Sequence, residues 1–267
     1  MQLAFLGQTQ GSRHLPMDET VKIALLLSSL LNLLLLGLGS FFVSRRGGLP
    51  YLFQKAYFLL MTEPKINYME QTPYYRDKTS HFRTLPNTDS EIIFLGDSIT
   101  DYCEWAEFFR EKRIKNRGIS GDTTYGILNR LDEIVDSNPQ KLFLMVGIND
   151  LNQGREISNI LNDYRLILEK LKAQVPNTAV FIQSVLPINN RESQKKLGLR
   201  LNNDKVIELN AKLKELTKEF SFHYIDLFTS LSDGTNELDA CYTSDGVHLN
   251  GKAYQVWKGI IERDVVS

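Results

Sequence analysis

The chain has 267 residues, 31 basic against 32 acidic side chains and a formal net charge of −1, so no electrostatic case for a nucleic-acid partner arises. Two cysteines, Cys103 and Cys241, are too few for a disulfide framework and lack metal-ligand spacing; both read as small core residues or free thiols. With the first ninety residues set aside, the remaining length suits one domain with a sizeable core.

The first predicted element is an apolar helix over 23–43, interrupted only by Ser28, Ser29, Asn32, Ser40 and small glycines. A helix of that length spans about 30 Å, the hydrocarbon thickness of a bilayer. Lys22 precedes it and Arg45 and Arg46 follow it, as for a single membrane span behind an N-terminal segment, 1–22. A cleaved signal peptide ending at Gly37-Leu38-Gly39 is the competing reading, and it would make the protein secreted. Flanking cations differ by one charge between the two sides, which leaves the membrane face undetermined. Residues 44–90 read as a connector: an aromatic stretch, Tyr51 to Met61, suited to the membrane interface or to packing, then a polar linker from Met69 to Pro86.

From 91 onward, short apolar runs alternate with helix-period stretches, the pattern of a parallel α/β sheet. Strands are expected at Glu91–Leu95, Arg113–Ile119, Lys141–Gly147, Ala179–Ile182 and His223–Asp226. Helices are expected from Asp97 through Phe109, from Asp122 to Val135, around Ile160–Leu171, from Asp204 to Phe220, and from Gly251 to Arg263. The economical fold for 91–267 is a three-layer α/β/α sandwich on a five-stranded parallel, flavodoxin-like sheet. Ile188 to Asn203 is polar and shows no period. Following a strand at the catalytic edge, its Asn189, Asn190, Arg191, Lys195, Lys196 and Arg200 either meet a polar leaving group or form a solvated loop.

Each polar cluster follows an apolar strand or precedes the last helix, which puts all of them at the edge where open α/β sheets meet ligands. Ser98 follows the first strand, and a serine hydroxyl becomes a nucleophile only beside a base. His248 is the best base, because His14 and His81 lie before the domain and His223 opens a strand. Asp245, three residues earlier, can orient its imidazole. Gly121, in a turn before a helix, and Asn149, after the central strand, can offer N–H donors to an oxyanion. Taken singly, each residue also reads as a helix cap or a turn former.

Four blocks carry a resemblance: Gly96-Asp97-Ser98, Ile119-Ser120-Gly121-Asp122-Thr123, Gly147-Ile148-Asn149-Asp150 and Asp245-Gly246-Val247-His248. In order and spacing they resemble the SGNH hydrolases, also called GDSL esterases and lipases, over about 91–263; Ile99 stands where the motif's name has leucine. The wording is most similar to the branch holding platelet-activating-factor acetylhydrolase subunits and bacterial lysophospholipase/thioesterases. The resemblance implies a metal-free, cofactor-free serine esterase with Ser98, His248 and Asp245 as catalytic residues. It implies an oxyanion hole from the Ser98 and Gly121 amides and the Asn149 side chain. The absence of a long apolar lid favours short acyl groups, acetyl first, on a lipid-like or carbohydrate ester. Two rival readings are a non-catalytic membrane-anchored lipid or carbohydrate binder on the same fold, and a metal site of Asp97, Asp245 and His248. The metal reading lacks a second histidine.

Overall fold

The computed structural model describes residues 27–32, 72–199 and 201–267. The chain divides into two compact units, Met1–Ile66 and Asn67–Ser267. In the first, 27–32 is helical and exposed; the rest of the expected span 23–43 and the aromatic stretch 51–61 lie outside the described residues. Among the described residues no helix is long and apolar enough to cross a membrane.

The second unit opens with a helix where a linker was expected. Helix α1 (Pro73–Thr84) is capped by Thr72, whose hydroxyl accepts the Tyr75 N–H at 3.2 Å, and starts on a proline at its first position. It is anchored because Tyr75 and Phe82 bury against Ile119, and the Tyr75 hydroxyl donates to the Gly126 carbonyl at 2.9 Å. The Arg117 guanidinium lies 4.9 Å from the Phe82 ring centre.

In order there follow β1 (Ile92–Gly96), α2 (Ser98–Asp101), α3 (Trp105–Phe109), β2 (Ile114–Gly118), α4 (Thr124–Asn129), α5 (Leu131–Asp136) and β3 (Lys141–Met145). After them come α6 (Ile148–Asn152), α7 (Ile157–Gln174), β4 (Ala179–Gln183), α8 (Asn190–Leu197), α9 (Asn203–Glu219), β5 (His223–Ile225), α10 (Phe228–Leu231) and α11 (Gly251–Val266). All strand pairs are parallel, in the order β2-β1-β3-β4-β5. This is the expected flavodoxin-like sheet. Two expected helices are each broken in two, at Cys103-Glu104 and at Arg130, and the aperiodic stretch 188–203 contains α8.

Helix α3 packs with α11 on one face, and α4, α5 and α9 pack with α7 on the other. On the first face Phe94, Phe143, Phe181 and His223 stand in register across β1, β3, β4 and β5, with ring centres 4.5–4.9 Å apart. Trp105 stacks on Phe94 at 4.3 Å and meets Trp257 edge-on. Aromatic pairs of this kind add about 0.5–1.5 kcal/mol each beyond their buried area. His223 is thus a sheet residue, remote in role from Ser98. Alternate residues Ile93, Leu95, Leu142 and Leu144 point the other way, beneath the second helical layer. Cys103 is buried and Cys241 exposed, both as free thiols.

Candidate active site

Ser98 is the first residue of α2, set by the end of the buried strand β1 at the carboxyl edge of the sheet. Asp97 caps the helix: its Oδ1 accepts the Ile99 N–H at 3.0 Å, which turns its carboxyl inward. Two aromatic donors hold the turn from the α3 and α11 side, the Trp105 indole on the Thr100 carbonyl at 2.8 Å and the Tyr254 hydroxyl on the Ile99 carbonyl at 2.7 Å. The Ser98 hydroxyl is therefore presented by a fixed backbone, on a residue only 5% exposed.

His248 and Asp245 arrive on the loop before α11. Asp245 Oδ1 accepts the N–H groups of Val247 and His248 at 2.9 and 2.8 Å, while Oδ2 lies 2.7 Å from His248 Nδ1. His248 Nε2 lies 3.0 Å from Ser98 Oγ. Three residues expected to act together thus form one hydrogen-bonded chain. Partial burial raises the Asp245 carboxyl, but the His248 ring and the Val247 and His248 amides more than offset this, leaving it below the usual carboxylate range. Asp97, the third member of the rival metal reading, does not join them. Among the described residues no group of three or more His, Cys, Asp or Glu side chains is placed to hold a metal ion.

Helix α8 supports this loop. Gly246 has φ +89°, and a Cβ there would lie 2.3 Å from the Ser193 amide nitrogen, so only glycine fits. The Gly246 carbonyl accepts the Asn189 N–H at 2.8 Å; the Asn189 side chain caps Glu192 and donates to the Leu238 carbonyl at 3.0 Å. Asn189 is thus a support of the loop rather than a contact for a leaving group. Asn190 bonds Glu237 at 2.9 Å, Arg191, Lys195 and Lys196 stand exposed on α8, and Arg200 lies outside the described residues.

The segments of the expected oxyanion donors Gly121 and Asn149 are joined by one hydrogen bond. Gly121 sits at φ +82° in the turn before α4. Asn149, in α6, donates one N–H of its amide to the Asp122 carbonyl at 2.9 Å; the same nitrogen carries a second N–H. The Ser98 amide, at the first helical position, has no carbonyl within its own helix to bond. Replacing Asn149 by alanine should lower kcat by about 10²- to 10³-fold with KM nearly unchanged, the signature of a donor used mainly in the transition state. Steady-state kinetics on one ester checks this, and a loss confined to KM would count against it.

Sequence reasoning missed what braces this loop. The Arg130 guanidinium, 1% exposed, pairs with Asp122 at 2.8 Å and donates to the Arg117 and Gly96 carbonyls at 2.8 and 3.3 Å, tying β1 and β2 to the turn. On the Asn149 side, Asp150 accepts the Thr124 N–H at 3.0 Å and pairs with Arg155, which also pairs with Asp163 at 2.8 Å. These partners lie 5 to 34 positions apart, and no local pattern marks them. Removing one member of such a pair typically costs about 3–5 kcal/mol.

Burial pushes the Asp97 carboxyl up to about 7, against the opposing Ile99 amide and with the Asp122 and Asp150 carboxylates adding to the rise. Between the ordinary carboxylate range and about pH 7 the folded state then binds more protons than the unfolded chain, so this group's contribution to stability falls as pH rises through that window. Asp97→Asn keeps an acceptor for the Ile99 N–H and cannot titrate. Its melting temperature should vary less than the wild type's between about pH 4 and 7. Parallel melting curves for the two proteins would refute the assignment.

Residues 94–256 match the GDSL-like Lipase/Acylhydrolase family. The chain belongs to that family. Relatives include platelet-activating factor acetylhydrolase IB subunit alpha2 of Gallus gallus, 29% identical over 173 residues, which cover 62% of this chain and 72% of the relative. The alpha1 subunit of Bos taurus is also 29% identical, covering 62% of this chain and 71% of its own. Among solved structures, a Streptococcus pneumonia protein named for platelet activating factor superposes with a TM-score of 0.67 at 28% identity, over 72% of this chain and 92% of that one. A GDSL-like lipase from Bacteroides thetaiotaomicron, at 24% identity and a TM-score of 0.63, shares the fold over 72% and 96% of the two chains. As a GDSL-like acylhydrolase, the protein is a hydrolase acting on esters.

Proposed function

We propose that the protein is a serine esterase that cleaves short-acyl carboxylic esters, acetyl esters first, through an acyl-enzyme on Ser98. The observation that carries this is the continuous chain from Ser98 Oγ to His248 Nε2, 3.0 Å, and from His248 Nδ1 to Asp245 Oδ2, 2.7 Å. Its length and order suit general-base catalysis. Ser98 Oγ attacks the ester carbonyl as His248 Nε2 takes its proton, and Asp245 holds the Nδ1–H and stabilises the imidazolium. The carbonyl oxygen, now negative, is received by the Ser98 and Gly121 amides and the Asn149 side chain. Collapse breaks the bond to the alcohol oxygen, which leaves with the proton from Nε2. Water, deprotonated by the same nitrogen, then releases the acid and restores the serine.

Two considerations support a short acyl group. No long apolar lid is legible in the sequence, and the matched relatives are named acetylhydrolases. Tethering to a membrane through 23–43 is supported by the length of that run and its lack of charge. One assay tests both: carbonate-washed membranes from cells expressing the full chain, given p-nitrophenyl esters from acetyl to palmitoyl. We expect the activity in the membrane pellet, with kcat/KM falling at least about tenfold from acetyl to octanoyl. Activity in the soluble fraction would sink the tether. A rise with chain length would sink the acyl assignment.

A further inference from the structure

Three tyrosines, Tyr74, Tyr102 and Tyr125, are exposed among the described residues. Tyr102 closes the helix of Ser98, Tyr125 stands in the first turn after the Gly121 loop, and the Tyr74 hydroxyl donates to Asp101. Tyr102 is the most exposed of the three at 55%, and its ring centre is 5.0 Å from that of His248, tilted by 33°. Its position is fixed at both ends. The Tyr102 N–H donates to the Ser98 carbonyl at 3.0 Å, and its hydroxyl lies 3.3 Å from Ser120 Oγ. Ser120 is held in turn, its N–H donating to Asp101 Oδ2 at 3.2 Å, and Lys78 pairs with the same carboxylate at 2.8 Å.

The chemistry of the site says which part of a substrate this ring meets. The carbonyl oxygen must point at Gly121 and Asn149, and the alcohol oxygen must reach His248 Nε2 to take its proton. The alcohol therefore departs along the imidazole, where the Tyr102 ring stands. A large exposed ring held there by two hydrogen bonds loses little further entropy when a ligand covers it. Its electron-rich face attracts the weakly positive C–H groups of a saturated ring.

We propose that Tyr102 is a specificity-determining platform for the leaving alcohol, selecting esters of alcohols that lay a C–H face on it, pyranose sugars above all, over small alkyl alcohols. This rests on the esterase reading. The test uses two esters with the same acyl group, methyl 6-O-acetyl-glucopyranoside and ethyl acetate, with acetate release followed by titration at constant pH. Both give the same acetyl-enzyme, so only the acylation step, reported by kcat/KM, can sense the alcohol. Tyr102→Ala should lower kcat/KM for the sugar ester about tenfold and leave ethyl acetate within about twofold. Tyr102→Phe, which keeps the ring, should stay within about threefold of the wild type on both. An equal fall on the two esters in Tyr102→Ala would mean that the ring only props the oxyanion loop, and no fall on either would mean that it touches nothing; each overturns the platform while leaving the esterase intact. A wild-type protein that turns over neither these esters nor p-nitrophenyl acetate would overturn the esterase, and the platform with it.

Discussion

Ser98→Ala is expected to cut turnover of p-nitrophenyl acetate by about 10⁵- to 10⁶-fold, leaving a residue of catalysis from the oxyanion donors. The reason is that the hydroxyl is the only group on α2 within hydrogen-bond reach of His248, at 3.0 Å, and alanine offers no atom to attack the carbonyl. The fold should survive. The backbone of α2 is held by Asp97, Trp105 and Tyr254 independently of that hydroxyl, so the loss is one partly buried hydrogen bond, worth about 1 kcal/mol. The wild type should be indifferent to a chelator, and Ser98 in the wild type should be acylated stoichiometrically by a fluorophosphonate that leaves the variant unmodified. A variant that keeps more than about one part in a hundred of the activity would end the acyl-enzyme mechanism.

Asp245→Asn is expected to lower kcat by about 10⁴-fold with little change in melting temperature. The two carboxylate oxygens do separate jobs. Oδ1 organises the turn through Val247 and His248 N–H, and an asparagine carbonyl can take that place. Oδ2 faces the ring nitrogen Nδ1 at 2.7 Å, and there asparagine would present N–H₂ instead of an acceptor. A donor at that point favours the tautomer with Nδ1 unprotonated, which moves the ring proton to Nε2, where a base is needed. Structure and chemistry should thus part company in this variant: the melt is preserved and the rate is not. Equal losses of stability and rate would instead make Asp245 a loop former alone.

The centre of the sheet was legible because β1, β3 and β4 are short, largely apolar runs, each followed by a polar turn, and a parallel sheet buries both faces of such runs. Three of the polar blocks were legible for the same reason, since each follows the end of a strand, and the fourth, at Asp245, stands before the last helix. Helix α1 escaped because its buried residues are few, Tyr75, Thr79 and Phe82, within a strongly polar segment that begins with proline. Their i, i+4, i+7 spacing and the Thr72-Pro73 start were nevertheless present. Helix α8 buries only Ser193, so it has no apolar stripe to read; its marks are the Asn189 cap and Gly198 in the left-handed region at its end. The break at Arg130 had no local sign at all. Its guanidinium serves the carbonyls of Gly96 and Arg117, partners that only the folded sheet brings near.

The clasp of α1 on Asp101 bears on where this hydrolase begins. The family match starts at 94, yet the Asp101 carboxylate, 5% exposed, draws its ion pair from Lys78 and one hydrogen bond from Tyr74. A fragment cut at the edge of the shared family core would strand that charge beside the Ser120 amide, one residue from an oxyanion donor. A fragment beginning at Thr72 should therefore melt higher than one beginning at Glu91, because it keeps both partners of that buried carboxylate.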